Sequence, residues 1–395
     1  MTTVTTVTTV TTVPAVSAIT SAQTVNDVRD IVRDAIHDRT PLQLLGAATW
    51  PNPFAPVCAD RTLSLSHVSG IVAYVPGDLT ITARAGTTLA ELSQVTAAHA
   101  QWLGLDPAGD RMGTIGATVA TASAGPLSHA FGTPRDLVLG LEAVTGYGEI
   151  VRPGGRVVKN VAGFDLVRLY TGSCGTLGAI TEVTLRLRAL PVHDVTLAIP
   201  IADAAQLGTT LATLRQATVS LLACEFLDGA SAARIGVCDG SDVILARIGG
   251  NDALVRGQRA QLERAGSCTP CDASVWGKIA TLDAQATAVV RFSGSIEGLG
   301  RRLERLRDVA TRAATPLVIH GSLARGVLRV VTESDPASLR GLLQTAVRDE
   351  QRIPERLPHD WWASEADPFA GGLAGRVRSA FDPHHLCNRR LESNA

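Results

Sequence analysis

Three short glycine-bearing segments are where this chain has the means to do chemistry: Gly46-Ala47-Ala48-Thr49, Gly113-Thr114-Ile115-Gly116-Ala117-Thr118, and Gly172-Ser173-Cys174-Gly175-Thr176-Leu177-Gly178. Each follows a strand-like run or opens a helix-like one. Loops of this kind present unpaired backbone N–H groups that suit a phosphate, and a helix N-terminus strengthens the effect. Glycine beside regular structure costs roughly 0.5–1 kcal/mol relative to alanine, so such a cluster marks backbone that turns tightly or approaches something closely. Neither G-x-G-x-x-G after the first strand nor G-x-x-x-x-G-K-S/T is present. Any one of the loops reads as a tight turn; the three together read as a dinucleotide held by several loops.

The elements that must position them follow from periodicity. Val25, Val28, Ile31, Val32 and Ile36 share one helical face behind Thr24 as N-cap, and residues 42–50 read as a short buried strand. Residues 70–86 read as strand, Pro-Gly-Asp turn and strand, and Thr88 with Glu91 forms a capping box ahead of a helix to His99. A hairpin over 136–155, a helix over 164–170 and an alternating strand after Gly178 complete a first domain over 24–191. Residues 192–350 alternate strands and helices with mostly antiparallel opportunities, as a mixed α+β cap domain, and 351–395 form a C-terminal segment.

The bulk numbers fit such a chain. With 395 residues, 45% hydrophobic and 18% charged, it is long enough for two globular domains. The net charge of -1, from 36 basic and 37 acidic residues, gives no electrostatic reason to expect nucleic acid or an anionic membrane surface. No run of about 18 apolar residues exists, so no membrane span is expected. Seven scattered cysteines point to a reducing, cytoplasmic compartment, and the single Cys268-x-x-Cys271 lacks a second pair for a metal or cluster. The uncharged TTV-repeat leader, residues 1–23, is expected to be disordered.

The strings GTIGATVATASAGP, RDLVLGLEAVTGYGEIVRPGGRVVKNVAGFDLVRLYTGSCGTLGAITEVTLRL and FDPHHLCNRRL resemble the FAD-binding oxidases of the vanillyl-alcohol oxidase/p-cresol methylhydroxylase type, and among them the FAD-binding subunits of bacterial glycolate oxidases. The likeness runs from about residue 40 to 190 and returns at the C-terminus. Its most specific part is Lys159-Asn160-Val161-Ala162-Gly163-Phe164-Asp165. It implies a two-lobed FAD-binding domain followed by the α+β cap. The loop at Gly46, Ala47, Ala48 and Thr49 and the segment Gly113, Thr114, Ile115, Gly116, Ala117 and Thr118 would cradle the FAD pyrophosphate. Gly175, Gly178 and Ile180 would bring backbone close to the nucleotide, side chains at Gly113, Gly116, Gly175 or Gly178 would push it away, and Asn388 matches an asparagine of the family. Lys159 and Asn160 would approach the flavin ring, where a cation stabilises the reduced anion. The first loop carries no His or Tyr for covalent attachment, so FAD is expected to be noncovalent.

The resemblance implies a glycolate oxidase complex, with a homologous FAD-containing catalytic subunit and an iron–sulfur subunit as partners and a cytoplasmic or peripheral inner-membrane location. It also exposes a departure. Relatives that oxidise 2-hydroxy acids alone carry H-x-G-D-x-N-x-H in the second domain, whereas this chain has His320-Gly-Ser-Leu-Ala-Arg325-Gly. His320 is therefore read as a strand-end residue, and the catalytic residues stay unassigned. Two alternatives remain: a self-contained D-2-hydroxy-acid dehydrogenase using Arg325, Arg291 or Lys278, and a scaffold whose flavin site has degraded. Ala47, Ala48 and the Arg389-Arg390 ending would mark the second.

Overall fold

The structure, a computed structural model, describes residues 19–49, 56–155, 164–216, 219–334, 339–341, 343, 351–365, 367 and 369–390. It is built on three sheets. In the first, β1 (Ile19–Ser21) and β2 (Leu42–Leu45) flank β3 (Arg61–Ser64), all parallel, with α1 (Val25–Asp38) crossing between them. Thr24 and Asp27 form a reciprocal capping box at the head of α1, and Val28, Val32 and Ala35 bury its apolar stripe. The ordered fold thus includes Ile19–Ser21, within the stretch expected to be a disordered leader, because that segment completes a ladder on β3.

The second sheet uses β4 (Ile71–Val75), β5 (Thr80–Arg84), β7 (Val138–Thr145), β8 (Ile150–Val151) and β9 (Gly178–Ala189) in the order β4-β5-β9-β7-β8, with β6 (Gln101–Leu103) also on β9. Helices α2 (Leu89–Ala97), α3 (Ile115–Ala120), α4 (Ser128–Phe131), α5 (Pro134–Leu137) and α6 (Leu166–Tyr170) surround it. Ile81, Leu92, Ile115, Leu141, Tyr170 and Val183 are among the residues of their common core. Asp165 caps α6 and pairs with Arg168 at 3.4 Å on the surface, the local ion pair that i,i+3 spacing predicts.

The third sheet has eight antiparallel strands: β10 (His193–Ile201), β11 (Leu221–Leu227), β12 (Asp242–Gly250), β13 (Thr269–Cys271), β14 (Ala288–Ser293), β15 (Val318–Ser322), β16 (Val327–Thr332) and β17 (Gln351–Arg356). Their order is β13-β10-β12-β11-β15-β16-β14-β17. One face packs α7 (Ala204–Gln216), α9 (Asp252–Leu262) and α11 (Leu299–Ala313) through Leu207, Leu262, Leu303 and Leu306. The other carries α8 (Gly229–Ile235) and α10 (Val275–Ala280) through Ile235, Trp276 and Ile279. Cys268 belongs to the first face and Cys271 to the second, so the strand itself separates the two thiols of the C-x-x-C. Trp361 packs into the core beside Trp362.

Asp228 shows how this sheet is tied together. Its carboxylate accepts from the Ser231 N–H (2.8 Å), the Ser231 hydroxyl (2.6 Å) and the Ile319 N–H (2.8 Å), joining the head of α8 to β15. Asp228→Ala removes a cap and orphans a buried N–H, and is expected to cost about 2–3 kcal/mol. Urea unfolding measures this; a loss below about 0.5 kcal/mol would show that water replaces the carboxylate. The chain returns to the first sheet through α12 (Gly372–Phe381) and the segment that follows it: Leu42 N–H donates to the Leu386 carbonyl at 2.8 Å, and Asn388 N–H to the Leu42 carbonyl at 2.9 Å.

Candidate functional site

The three glycine loops meet at one edge between the first two sheets. The loop after β2 runs Gly46–Thr49 with Ala48 in the left-handed region, φ 52°. Among the described residues, the backbone N–H groups of these four positions have no hydrogen-bond partner, and Ala47 and Ala48 are exposed. A run of free N–H groups with one left-handed residue is the kind of backbone from which anion nests are built. Ala48 thus adopts, at some steric cost, the conformation that glycine takes freely.

The second loop lies against the first. A Cβ on Gly46 would stand 2.3 Å from the Thr114 Oγ1, and one on Gly113 would stand 3.5 Å from the Thr49 Oγ1. Thr114 caps α3, accepting from the Ala117 N–H at 3.4 Å, while Ala117 is exposed on the open side and Ile115 and Thr118 are buried. The third loop is tied to the end of α3, with Gly172 N–H donating to the Val119 carbonyl (3.0 Å) and Cys174 N–H to the Ala120 carbonyl (2.7 Å). Asn388 joins it to the first: its Oδ1 accepts from the Leu44 N–H at 2.7 Å and its Nδ2 donates to the Cys174 carbonyl at 2.8 Å.

The glycines are explained differently from the expectation that side chains there would displace a ligand. A Cβ on Gly116 would meet Ala85, one on Gly175 would meet Asn388, and one on Gly178, at φ 133°, would lie 2.2 Å from the Val144 carbonyl. These three are small because chain packs on chain; only Gly113 has comparative room. The Ile180 side chain is in the core. Lys159 and Asn160 lie outside the described residues. Arg390, of the Arg389-Arg390 ending, is buried, sits 3.5 Å from Asp367 and covers the Phe369 ring.

Comparison with known proteins bears on this cradle. A family model described as an FAD binding domain matches residues 16–154. That segment is an FAD binding domain, and FAD is its cofactor. Glycolate oxidase subunit GlcE of Escherichia coli is 41% identical over 162 residues, 40% of this chain and 46% of that protein. Glycolate oxidase subunit GlcD of Bacillus subtilis is 32% identical over 42% of this chain and 35% of its own length. The mitochondrial D-lactate dehydrogenase [cytochrome] of Arabidopsis thaliana is 33% identical over 43% and 30%. The matched region spans less than half of each of these relatives. Among solved structures, p-cresol methylhydroxylase with substrate bound superposes with a TM-score of 0.76 at 14% identity, covering 93% of this chain and 87% of that one. The fold is therefore of the p-cresol methylhydroxylase type, the α+β class expected from the sequence.

A second concavity lies where the FAD binding domain meets the eight-stranded sheet. Asp106, Gly125 and Pro126 form its wall on the FAD side, and Glu225, His320, Ser322, Arg325, Arg291 and Arg329 stand opposite. Strand pairing creates this array: Glu225 is opposite Ser322, His320 opposite Arg329, and Arg329 opposite Arg291, on the face that also packs α8 and α10. The His320 Nε2 is 2.8 Å from the Asp283 Oδ1, with both side chains at most 3% exposed. Arg329 lies 2.7 Å and Arg291 3.3 Å from Glu355. Lys278 points elsewhere, donating to the Ile235 carbonyl at 2.8 Å.

His320 is thus a mid-strand, buried, paired residue, not the strand-end residue expected. Asp283, Glu225 and Ser322 escaped the sequence reading altogether. One signal was available: a glutamate inside the apolar run LLACEFL, and arginines inside VVRFS and VLRVVT, place charge on a strand face that should be buried.

Burial pushes the Asp106 carboxyl up to about 8, helped by the charge of Glu225, and pushes Glu225 up to about 7. Both folded values exceed the unfolded ones, so the native state holds more protons. Their contribution to stability is complete below about pH 4 and is lost as pH rises through about 7 to 8. The thermal midpoint is expected to fall between pH 6 and pH 9, and the double variant Asp106→Asn, Glu225→Gln to flatten that fall. An unchanged slope would place the linkage in other groups.

Proposed function

We propose that the chain is an FAD-binding subunit of a glycolate oxidase complex, taking part in the oxidation of glycolate to glyoxylate and passing electrons through its flavin to partner subunits. The observation that carries this reading is the run of unpaired N–H groups at Gly46–Thr49, which lies within the segment, residues 16–154, that matches an FAD binding domain. In this reading the N–H groups of Gly46, Ala47, Ala48 and Thr49 hold the FAD pyrophosphate, with Gly113, Thr114 and Ala117 beside them. Ile115, Gly116 and Thr118 anchor α3 behind that loop, while Gly175, Gly178, Ile180 and Asn388 hold the third loop in place. Lys159 and Asn160 approach the flavin ring. FAD, bound noncovalently, supplies the two-electron acceptor. The partners are a homologous FAD-containing catalytic subunit and an iron–sulfur subunit, and the open nest argues against a cofactor-free scaffold.

A second reading, a self-contained 2-hydroxy-acid dehydrogenase, is favoured by the ionisable array at the domain seam. One experiment separates the two. The purified chain is followed anaerobically at ~450 nm, where oxidised flavin absorbs, as glycolate or D-lactate is added with and without the two partner subunits. Bleaching only with partners supports the complex, and bleaching by the chain alone supports the second reading. A colourless protein that FAD does not reconstitute would defeat both.

A further inference from the structure

We propose that the surface around the β9–β10 connection docks a partner subunit, with Leu190, Val192 and Leu254 taking an apolar side chain of the partner and Arg186 and Arg188 taking its carboxylates. This rests on the reading above that the chain works beside partner subunits; the flavin loops take no part in it.

The apolar half is an exposed patch laid on glycine. Val192 is 80%, Leu254 46% and Leu190 38% exposed. A Cβ on Gly249 would lie 2.6 Å from the Leu222 Cδ1 and 3.0 Å from the Pro191 Cγ, and one on Gly250 would lie 2.6 Å from the Leu254 Cδ2. The end of β12, paired with His193 and Asp194 of β10, therefore carries no side chains of its own, and Pro191, Leu222 and Leu254 rest on its bare backbone. Single exposed apolar residues are ordinary, but a contiguous set of them marks a contact site.

The charged half begins two residues before Leu190. Side chains alternate along β9, so Leu185 and Leu187 enter the core while Arg186 and Arg188 share the other face. Among the described residues neither guanidinium has a carboxylate within ion-pair distance. The acidic groups near them in the chain and beside the patch are already engaged: Glu182 with Arg84, Asp194 with Arg247, and Asp252 with Arg256. Arg188 lies instead over the Phe131 ring, 5.3 Å from its centroid, next to Trp102, its partner across the β6–β9 ladder. Its Nε is buried with no hydrogen-bond partner, as is the Trp102 Nε1. Burial and the like charge of Arg186 both press Arg188 below the usual arginine range, and an arriving carboxylate relieves both penalties.

Charge decides the occupant. An anionic lipid surface is recognised by clusters of about four to eight basic residues, and this surface has two, one of them fixed on an aromatic ring. A second copy of the chain would bring the same guanidinia to a two-fold contact and no free carboxylate to meet them. A folded partner with carboxylates beside an apolar side chain satisfies both halves. Because Arg186 and Arg188 stand on a strand that packs in the FAD binding domain and Leu254 on α9 of the eight-stranded sheet, such a partner would also clamp the two together.

Interferometry on the flavin-loaded chain, titrated separately with the homologous flavin subunit and the iron–sulfur subunit, tests the surface. Binding to one of them is expected, weakened about 100-fold by Val192→Asp and about 10-fold or more by Arg186→Glu, with flavin colour and thermal midpoint unchanged because both positions are exposed. It should also weaken as salt rises from about 0.1 to about 1 M, where the screening length falls from about 10 to about 3 Å. Parent-like affinity in a folded Val192→Asp or Arg186→Glu variant would overturn the proposal. So would self-association of the chain that Val192→Asp abolishes, or flotation with phosphatidylserine vesicles that Arg186→Glu abolishes. A parent chain that binds neither subunit would instead defeat the subunit reading, and this surface with it.

Discussion

A Gly46→Val variant is expected to fold and to purify without flavin colour. The new Cβ would stand 2.3 Å from the Thr114 Oγ1 and 3.3 Å from the Ala117 Cβ, so the first two loops of the FAD binding domain must part. Parting turns the nest away from the second loop and frees Thr114 from its capping position, at a cost to folding of about 1 kcal/mol. The loss falls mainly on the ligand: flavin retention after gel filtration, read from the visible-to-280 nm absorbance ratio, should drop to near zero. Gly178→Ala makes a useful contrast, because there the Cβ meets the Val144 carbonyl at 2.2 Å in the β7–β9 ladder and the backbone is at φ 133°. That variant should lose stability first and flavin only as a result. If Gly46→Val keeps stoichiometric FAD, the first loop is not the pyrophosphate seat.

Glu355→Gln is expected to produce the largest loss of stability of the substitutions considered. Glu355 neutralises two arginines at once, Arg329 at 2.7 Å and Arg291 at 3.3 Å, which are direct cross-strand neighbours. Its amide would leave two like charges side by side on a largely buried sheet face. Removing one partner of a buried pair costs about 3–5 kcal/mol, and the 15% exposure of Glu355 and Arg329 places this case near the lower end. Urea unfolding with an unchanged m-value would measure it. Adding Arg291→Leu should return part of the loss, whereas a single-variant loss below about 1 kcal/mol would show that solvent reaches the pair.

Local signals carried most of the FAD binding domain. Thr24 does cap its helix, Thr88 and Glu91 do form a capping box, and the Pro76–Asp78 turn and the 138–151 hairpin lie where turn residues put them. All of these depend on residues within a few positions of one another. What stayed illegible depends on distant partners. Ile19–Ser21 has no strand signal of its own and is ordered by β3, some 40 residues on. The need for glycine at 116, 175 and 178 comes from Ala85, Asn388 and Val144, none of them a sequence neighbour. The seam array is the clearest case: Asp283, His320 and Glu225 come from three separate elements, and no spacing rule links them. The aspartate that pairs with His320 lies 37 residues before it, outside any histidine-string spacing.

The asparagine that bridges the first and third loops also sets a schedule for biosynthesis. Leu44 and its carboxamide partner Asn388 are 344 residues apart, and the whole eight-stranded sheet is made between them. At ribosomal speeds of about 5–20 residues per second, roughly 20–70 s pass before the early strands receive their last tie. Until then the nascent FAD binding domain has its nucleotide loops without the clasp that joins them. Flavin loading should therefore be essentially post-translational, and a pulse-chase measurement should find flavin uptake trailing the appearance of full-length chain.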